Sequence, residues 1–335
     1  MHNPEPWNDF IIRPPVADDI PAIVDVINAS ALEIVGTKDT SIEDYTRLWH
    51  SPGYDAAQDS RIATTTDGQI VAVVHAHSHA PYVSNFVWAS VDPAYRQRGL
   101  GTTLTSWGET RLRTRINDAP PEARIVVRGS TLSTYQPTAK LLGDLGYQYV
   151  RSFYLMIIEM DAPPPLPTWP AGITIQSMAP EQAEATFRAM DEAFKDHWGH
   201  VDGPLEENFQ RWQHFITNHA YYDPSLFLLA MDGTEIAGFA LCFPKTEEFP
   251  NTAWVDDLGI RRPWRRQGLA LALLHHAFGE FYRRGTRKVG LGVDASSLTG
   301  ATKLYEKAGM RIFRKHDTYE KELRPGKDLT TQTVE

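Results

Sequence analysis

The 335-residue sequence contains a single cysteine, Cys242, so an intrachain disulfide is excluded. Flanked by Leu241 and Phe243 in a strand-like run, Cys242 is expected to be a small buried filler. No apolar run approaches the roughly 18 residues needed to span a bilayer. The start, Met1-His2-Asn3-Pro4-Glu5-Pro6, lacks the basic and apolar regions of a secretory leader, so the expectation is a cytoplasmic protein with no membrane partner. A basic excess is lacking too: the net charge of −9 argues against nonspecific nucleic-acid binding as the main task. What remains, 42% hydrophobic and 22% charged residues, suits a globular chain of about two domains.

The most informative feature present is a pair. Arg96-Gln97-Arg98-Gly99-Leu100-Gly101 and Arg265-Arg266-Gln267-Gly268-Leu269-Ala270 share Arg-x-x-Gly-x-(Gly/Ala), and each leads into a helical pattern. They lie 169 residues apart (268 minus 99), a domain-sized repeat. Two further landmarks keep the same order at an offset of 163: Ile12 with Ile175 (175 minus 12) and Gly146 with Gly309 (309 minus 146). By the second offset Tyr305 aligns with Leu142 (142 plus 163).

Each half reads as strand, helical region, hairpin, strand, glycine turn, helix, strand, helix, strand. Asp67-Gly68 and Asp232-Gly233 are the hairpin turns. After the second glycine motif, Leu274, Ala277, Phe278 and Phe281 recur at helical spacing until Gly285. These patterns predict an α/β protein of two tandem domains, each a mixed, mostly antiparallel sheet flanked by helices. Domain boundaries are expected at 1–160 and 173–324, separated by a stiff proline-rich linker at 161–172 and followed by a flexible tail at 325–335.

Glycines let a backbone approach a ligand closely, and the free N–H groups of a turn and helix start favour a pyrophosphate. Competing phosphate motifs fit poorly. Leu104 stands where a dinucleotide fingerprint has its third glycine, and neither copy continues into the Gly-Lys-(Ser/Thr) of a P-loop.

Val91-Asp92-Pro93-Ala94-Tyr95-Arg96-Gln97-Arg98-Gly99-Leu100-Gly101 and Ile260-Arg261-Arg262-Pro263-Trp264-Arg265-Arg266-Gln267-Gly268-Leu269-Ala270 resemble the acetyl-coenzyme A motif of the GNAT N-acetyltransferase superfamily. The resemblance covers nearly the whole chain, twice. It implies a sheet whose fourth and fifth strands splay apart, with acetyl-CoA between them and its pyrophosphate on the glycine turn. The cofactor contacts it implies are Arg265, Arg266, Gln267, Gly268, Leu269 and Ala270 in the second half, and Val91, Arg96, Gln97, Arg98, Gly99, Leu100, Gly101 and Thr102 in the first. Ser297 stands near the place of a family asparagine and is a shorter substitute for it. The tandem layout is similar to that of mycothiol synthases, which makes a mycothiol-precursor-like amine one alternative acceptor.

The chemistry expected is transfer of an acetyl group to a primary amine of a small molecule, by direct attack on the thioester in the second half. Tyr305 matches the family's tyrosine; its phenol can protonate the departing thiolate. The alternative for Tyr305 is packing on a helix face. The amine must also lose a proton, and Asp256 and Asp257 lie on the strand before the second glycine turn; the alternative is a capping or salt-bridging pair of acids. A regular strand places Asp256 on the face of Trp254, whereas a bulge reverses the parity and favours Asp257. Backbone N–H groups at Leu258, Gly259 and Ile260 are candidates to hold the thioester oxygen. Asp196, His197 and Trp198 fall in the helical region that covers the substrate side in this family and are expected in substrate binding; the alternative is a solvated, partly packed helix end. No third ligand accompanies His197 and His200, so no metal is expected. A protein that binds acyl-CoA without turnover is the alternative to an enzyme.

Overall fold

The computed structural model describes residues 5–7 and 9–333. Most of the N-terminal stretch read above, residues 1–4, and the last two residues of the tail lie outside the described residues. The strands are β1 (Glu5–Trp7), β2 (Phe10–Arg13), β3 (Ser60–Thr65), β4 (Ile70–His77), β5 (Ser84–Val91), β6 (Ile125–Leu132), β7 (Gln148–Glu159), β8 (Ile173–Ser177), β9 (Phe227–Asp232), β10 (Glu235–Phe243), β11 (Ala253–Ile260), β12 (Lys288–Asp294) and β13 (Arg311–Arg324). The helices are α1 (Ile20–Val35), α2 (Ile42–Trp49), α3 (Ala56–Asp59), α4 (Leu100–Arg113), α5 (Gln136–Asp144), α6 (Ala183–Phe194), α7 (Leu205–Thr217), α8 (Leu269–Arg283) and α9 (Ala301–Lys307). None of these helices is long and apolar enough to cross a membrane.

The chain forms two compact units. The first takes Met1–Val150, Gly203–Glu207 and Asp317–Leu329; the second takes Arg151–Asp202, Asn208–His316 and Thr330–Glu335. Each carries a mixed, mostly antiparallel sheet flanked by helices. In the first unit the strand order is β1-β2-β3-β4-β5-β6 with β13 beyond β6, and in the second it is β7-β12-β11-β10-β9-β8. The division therefore differs from the contiguous halves expected. The last strand of each repeat completes the other repeat's sheet: β7 pairs antiparallel with β12, from Lys288↔Glu159 to Asp294↔Phe153. In the first unit the guest strand β13 is held by charge, with Glu320 accepting from Arg124 at 2.8 Å and from buried Arg128 at 2.9 Å.

The proline-rich segment belongs to the second unit rather than standing apart. Trp169 packs against that unit's core and meets His276 edge-on at 5.7 Å between ring centres.

In each unit the two parallel central strands pair at one end only. β5 and β6 are in register at Ser84↔Val126, Asn85↔Val127 and Phe86↔Arg128, and β11 and β12 at Ala253↔Val289, Trp254↔Gly290 and Val255↔Leu291. Beyond these three pairs the strands diverge, giving the splayed cleft that the resemblance implies. Behind the cleft of the second unit, α8 buries Leu269, Leu273, Leu274, Ala277, Phe278 and Phe281 against the sheet, and Cys242 is buried with them. Each large apolar side chain removed from water in this way contributes about 1.5–3 kcal/mol. Gly285 then ends the run in the left-handed region at φ 90°.

Candidate active site

The two glycine motifs adopt the same backbone. After β5 and β11, short helical turns at Pro93–Tyr95 and Arg262–Trp264 reverse the chain, and Gly99 and Gly268 start α4 and α8, both at φ 84°. Two residues earlier, Gln97 and Arg266 are held at φ 60° and φ 64°, conformations that a side chain adopts at a cost of about 1–3 kcal/mol. The matching strain at aligned positions points to function. A left-handed residue next to the start of a helix turns successive N–H groups to one side, which makes an anion-binding concavity. Neither helix start has a side-chain cap, so the first-turn N–H groups are available to a phosphate. Room at Gly268 is open, with no atom within 4 Å of a built Cβ, so its backbone conformation and not crowding calls for glycine.

The first arginine of each motif does something other than expected. Arg96 donates to Glu33 and, at 2.9 Å, to Ser30; both acceptors lie on α1. Arg265 donates to Asp196, to the Ala193 carbonyl at 3.1 Å and to the Ile260 carbonyl at 2.9 Å. Glu33 and Asp196 are aligned by the 163-residue offset (33 plus 163), so both repeats brace the glycine turn with an acid–arginine pair, the acid lying on α1 in the first and just past the end of α6 in the second. Arg262 adds a second bond to Asp196 at 2.6 Å. These bonds, first from Arg262 and then from Arg265, hold the carboxyl of Asp196 down to about 2 against the opposing effect of burial. Asp196, read above as an acceptor-binding residue, is therefore a buried clamp on the glycine turn, and Arg265 is engaged by protein atoms. The offset that aligned Ile12 with Ile175 also carried the signal for this pair. Arg98, exposed, lies over the Tyr95 ring at 5.1 Å, and exposed Gln267 donates to the Pro263 carbonyl at 3.3 Å. Arg266 and Thr102 are exposed at the helix starts, and Ala270 and Gly101 follow on α8 and α4. A Cβ on Gly101 would meet Leu141 at 2.8 Å, so its identity is set by packing.

β11 is not a regular strand. Leu241 pairs with Asp257 but its neighbour Cys242 pairs with Val255, leaving Asp256 as the extra residue of a bulge. The bulge removes the condition under which Asp256 was favoured. It turns Asp257 to the face of Leu241 and Phe243, the face on which Phe194 of α6 meets Phe239. Asp256 is exposed. Asp257 is half-exposed at the cleft wall yet closely surrounded by protein; desolvation, and then the like charge of Asp256, push its carboxyl up to about 8.

Tyr305 is buried on α9 against the α8 side of the sheet. Desolvation, with the charge of Asp257 adding to it, pushes its phenol up to about 12, so the group stays protonated at neutral pH. Gly259 is fixed by the Phe239 ring, which a Cβ would approach to 2.2 Å. From Asp256 to Ile260, β11 has no pairing with β12 among the described residues, so the backbone around Leu258, Gly259 and Ile260 borders the opening. Ser297 is occupied locally: its hydroxyl meets Thr299 at 3.1 Å and accepts from the Ala301 N–H at 3.3 Å, shaping the turn before α9.

His197 packs on Phe194, with 4.6 Å between ring centres, and desolvation lowers its imidazole below the ordinary range. Trp198 lies over the Arg151 guanidinium at 5.0 Å, and Arg151 makes a two-pronged pair with Asp294 at 2.9 and 2.7 Å. Both residues stand at the end of β12 where the cleft opens. Arg151 and Asp294 were not picked out from the sequence, because their pairing depends on β7 entering the second unit.

In the first unit other residues fill the positions aligned with Asp257 and Tyr305. Trp88 takes the place of Asp257 (88 plus 169) and pairs with His75, whose ring stacks on it at 4.9 Å. His75 is buried between two phenols, Tyr54 at 2.6 Å and Tyr45 at 3.3 Å. Leu142 takes the place of Tyr305 and is buried.

Comparison with known proteins agrees with this geometry. A solved GCN5-related N-acetyltransferase from Sphaerobacter thermophilus is 37% identical, with a TM-score of 0.77 over 97% of this chain and 99% of that one. The chain belongs to the GCN5-related N-acetyltransferase (GNAT) family. It is an acyltransferase whose acyl donor is acetyl-CoA. The model of the acetyltransferase (GNAT) family matches residues 184–310 of this GNAT protein. A mycothiol acetyltransferase from Salinispora arenicola (strain CNS-205) is 28% identical over 76% of this chain and 79% of its own length. A tandem GNAT protein from the clavulanic acid biosynthesis pathway shares the fold, with 14% identity and a TM-score of 0.69 over 95% of this chain and 100% of that one. The residues fit acetyl-CoA: each unit has a splayed cleft beside a glycine turn whose left-handed backbone opens N–H groups to a pyrophosphate.

Proposed function

We propose that the second unit transfers the acetyl group of acetyl-CoA to a primary amine of a small molecule, by direct attack of the amine on the thioester. The observation that carries this reading is the bulge in β11, which turns Asp257 toward α6 beside the diverging strands, together with Tyr305 buried on α9, whose phenol feels the charge of Asp257. When bound, acetyl-CoA supplies an activated acyl group and a thiol leaving group.

The protein supplies the rest. Asp257, with its carboxyl raised to about 8, is matched to a substrate ammonium and takes its proton. Backbone N–H groups near Leu258 to Ile260 stabilise charge on the acyl oxygen. Tyr305, kept protonated by burial, returns a proton to the thiolate. Arg266, Gln267, Gly268, Leu269 and Ala270 form the pyrophosphate turn, with Arg265 and Asp196 bracing it. His197 and Trp198 border the opening on the acceptor side. Asp256 tunes Asp257 through its charge.

For the first unit we propose acetyl-CoA binding or scaffolding without turnover. Val91, Arg96, Gln97, Arg98, Gly99, Leu100, Gly101 and Thr102 repeat the turn, but Trp88 and Leu142 have no proton to exchange. Relatives named mycothiol acetyltransferases favour an amine like a mycothiol precursor as one acceptor to include in the test.

The test is thiol release from acetyl-CoA across a broad panel of small amines, including amino sugars and their amino-acid conjugates. Amine-dependent release with acetylated product is the expected result. Binding of coenzyme A with no release for any amine favours a binding protein instead.

A further inference from the structure

We infer that Thr331 and Gln332, near the end of the chain, are positioning residues of the acetyl-CoA cleft in the second unit. This rests on reading that cleft as the cofactor site.

The loop between α6 and α7 has two ties, one on each side of the cleft. On the β11 side Asp196 holds Arg262 and Arg265, which follow that strand in the glycine turn. On the β12 side Trp198 covers Arg151, itself paired with Asp294 at the end of β12. Asp196 and Trp198 are two residues apart, at most about 7 Å of chain. Because β11 and β12 run parallel, both ties lie at their diverging ends, and the loop crosses the open end of the cleft between them.

The C-terminal segment fastens this loop. Thr331 donates its N–H to the His200 carbonyl at 2.9 Å, and its own carbonyl accepts from the Gly199 N–H at 2.8 Å, so its backbone is bonded to two successive residues of the loop. Its hydroxyl donates to the Lys195 carbonyl at 2.9 Å, at the end of α6. The Gln332 side chain accepts from the indole N–H of Trp198 at 2.9 Å. Four hydrogen bonds from two residues fix both the backbone of the loop and the ring that covers Arg151. A segment expected to be flexible thus pre-orders a wall of the cleft, and a wall ordered in advance lowers the cost of binding.

The experiment compares the full-length protein with Thr331→Pro, which removes the N–H, with Gln332→Ala, and with a chain ending at Leu329. Coenzyme A affinity is measured by calorimetry, amide exchange over residues 195–202 by mass spectrometry, and melting temperature alongside. The expected result is exchange in 195–202 faster by about tenfold or more and coenzyme A affinity weaker by about fivefold or more in Thr331→Pro and the shortened chain. Gln332→Ala gives a smaller loss, and turnover at saturating acetyl-CoA stays within about twofold, the split between binding and chemistry that a positioning role requires. Unchanged exchange overturns the fastening, and faster exchange with unchanged affinity overturns the role in the cleft. Should the shortened chain melt early, the two full-length variants decide. If the unaltered protein binds no coenzyme A, the cofactor-site reading fails as well; if it binds and the variants match it, only this inference fails.

Discussion

Asp257 stands opposite Leu241 in the β10–β11 ladder, one residue out of step with the Cys242↔Val255 pair beside it. That slip puts a carboxylate where a regular strand would have turned it away. It also leaves Asp256 next to it as a second negative charge, and the two acids then have separate roles.

If Asp257 removes the amine's proton, it must be ionised, so kcat/KM rises with pH through its raised value of about 8. Asp257→Asn is expected to lower kcat/KM by about 10²–10⁴-fold, the range of one general base. Asp256→Asn takes away a like charge and moves the acidic limb of the profile to lower pH with much smaller loss. Equal losses in both variants, or a profile unmoved by Asp256→Asn, count against these roles; pH–rate curves decide.

The same raised value has a stability consequence. Folding favours the protonated form of Asp257, so the folded state binds more protons than the unfolded state between an ordinary carboxylate value near about 4 and the folded value of about 8. Stability at this position therefore falls as pH rises through that window. Asp257→Asn removes the penalty and is expected to melt higher than the unaltered protein at pH 8, with the difference vanishing near pH 4.

Asp196 has the opposite sign. Its folded value, about 2, lies below the unfolded one, so its contribution is present above about 4 and lost as pH falls toward 2. Asp196→Asn is expected to destabilise by about 1.5–3 kcal/mol at neutral pH, the range for a charge-assisted hydrogen bond. It is also expected to weaken coenzyme A binding, because Arg265 is freed from its brace. Chemical denaturation and calorimetry read the two effects; a stable variant with normal affinity contradicts the clamp.

Gly268→Ala tests the second glycine turn. The added methyl finds open space, so the penalty is in the left-handed backbone alone, about 1–2 kcal/mol. Coenzyme A affinity is expected to fall in calorimetry, while Gly99→Ala, the matching change in the first unit, leaves turnover unaltered. Loss of turnover in Gly99→Ala with none in Gly268→Ala assigns catalysis to the wrong unit.

The fold was legible wherever it depends on local pattern. Gly68 and Gly233 mark hairpins, Gly99 and Gly268 mark helix starts, and the apolar face of α8 can be read from Leu274 to Phe281. What stayed hidden depends on contacts far apart in sequence. The bulge at Asp256 arises from pairing with β10, and nothing in Asp256-Asp257-Leu258 announces it. The exchange of β7 and β13 is invisible for the same reason: each strand has the composition of its own repeat, and only its partner differs. Asp196 looked like an acceptor residue because it sits beside His197 and Trp198. The repeat offset, which aligns it with Glu33, held the better clue. Thr331 lies in a polar stretch without periodicity and became informative only through the carbonyls it meets.

The most direct test of the account is the rate of thiol release in Tyr305→Phe with an amine the unaltered protein accepts. Phenylalanine keeps the ring that packs into the core and removes only the hydroxyl. The account predicts release slowed by about tenfold or more, with coenzyme A affinity and melting temperature unchanged. An unchanged rate would contradict it and remove Tyr305 from the reaction.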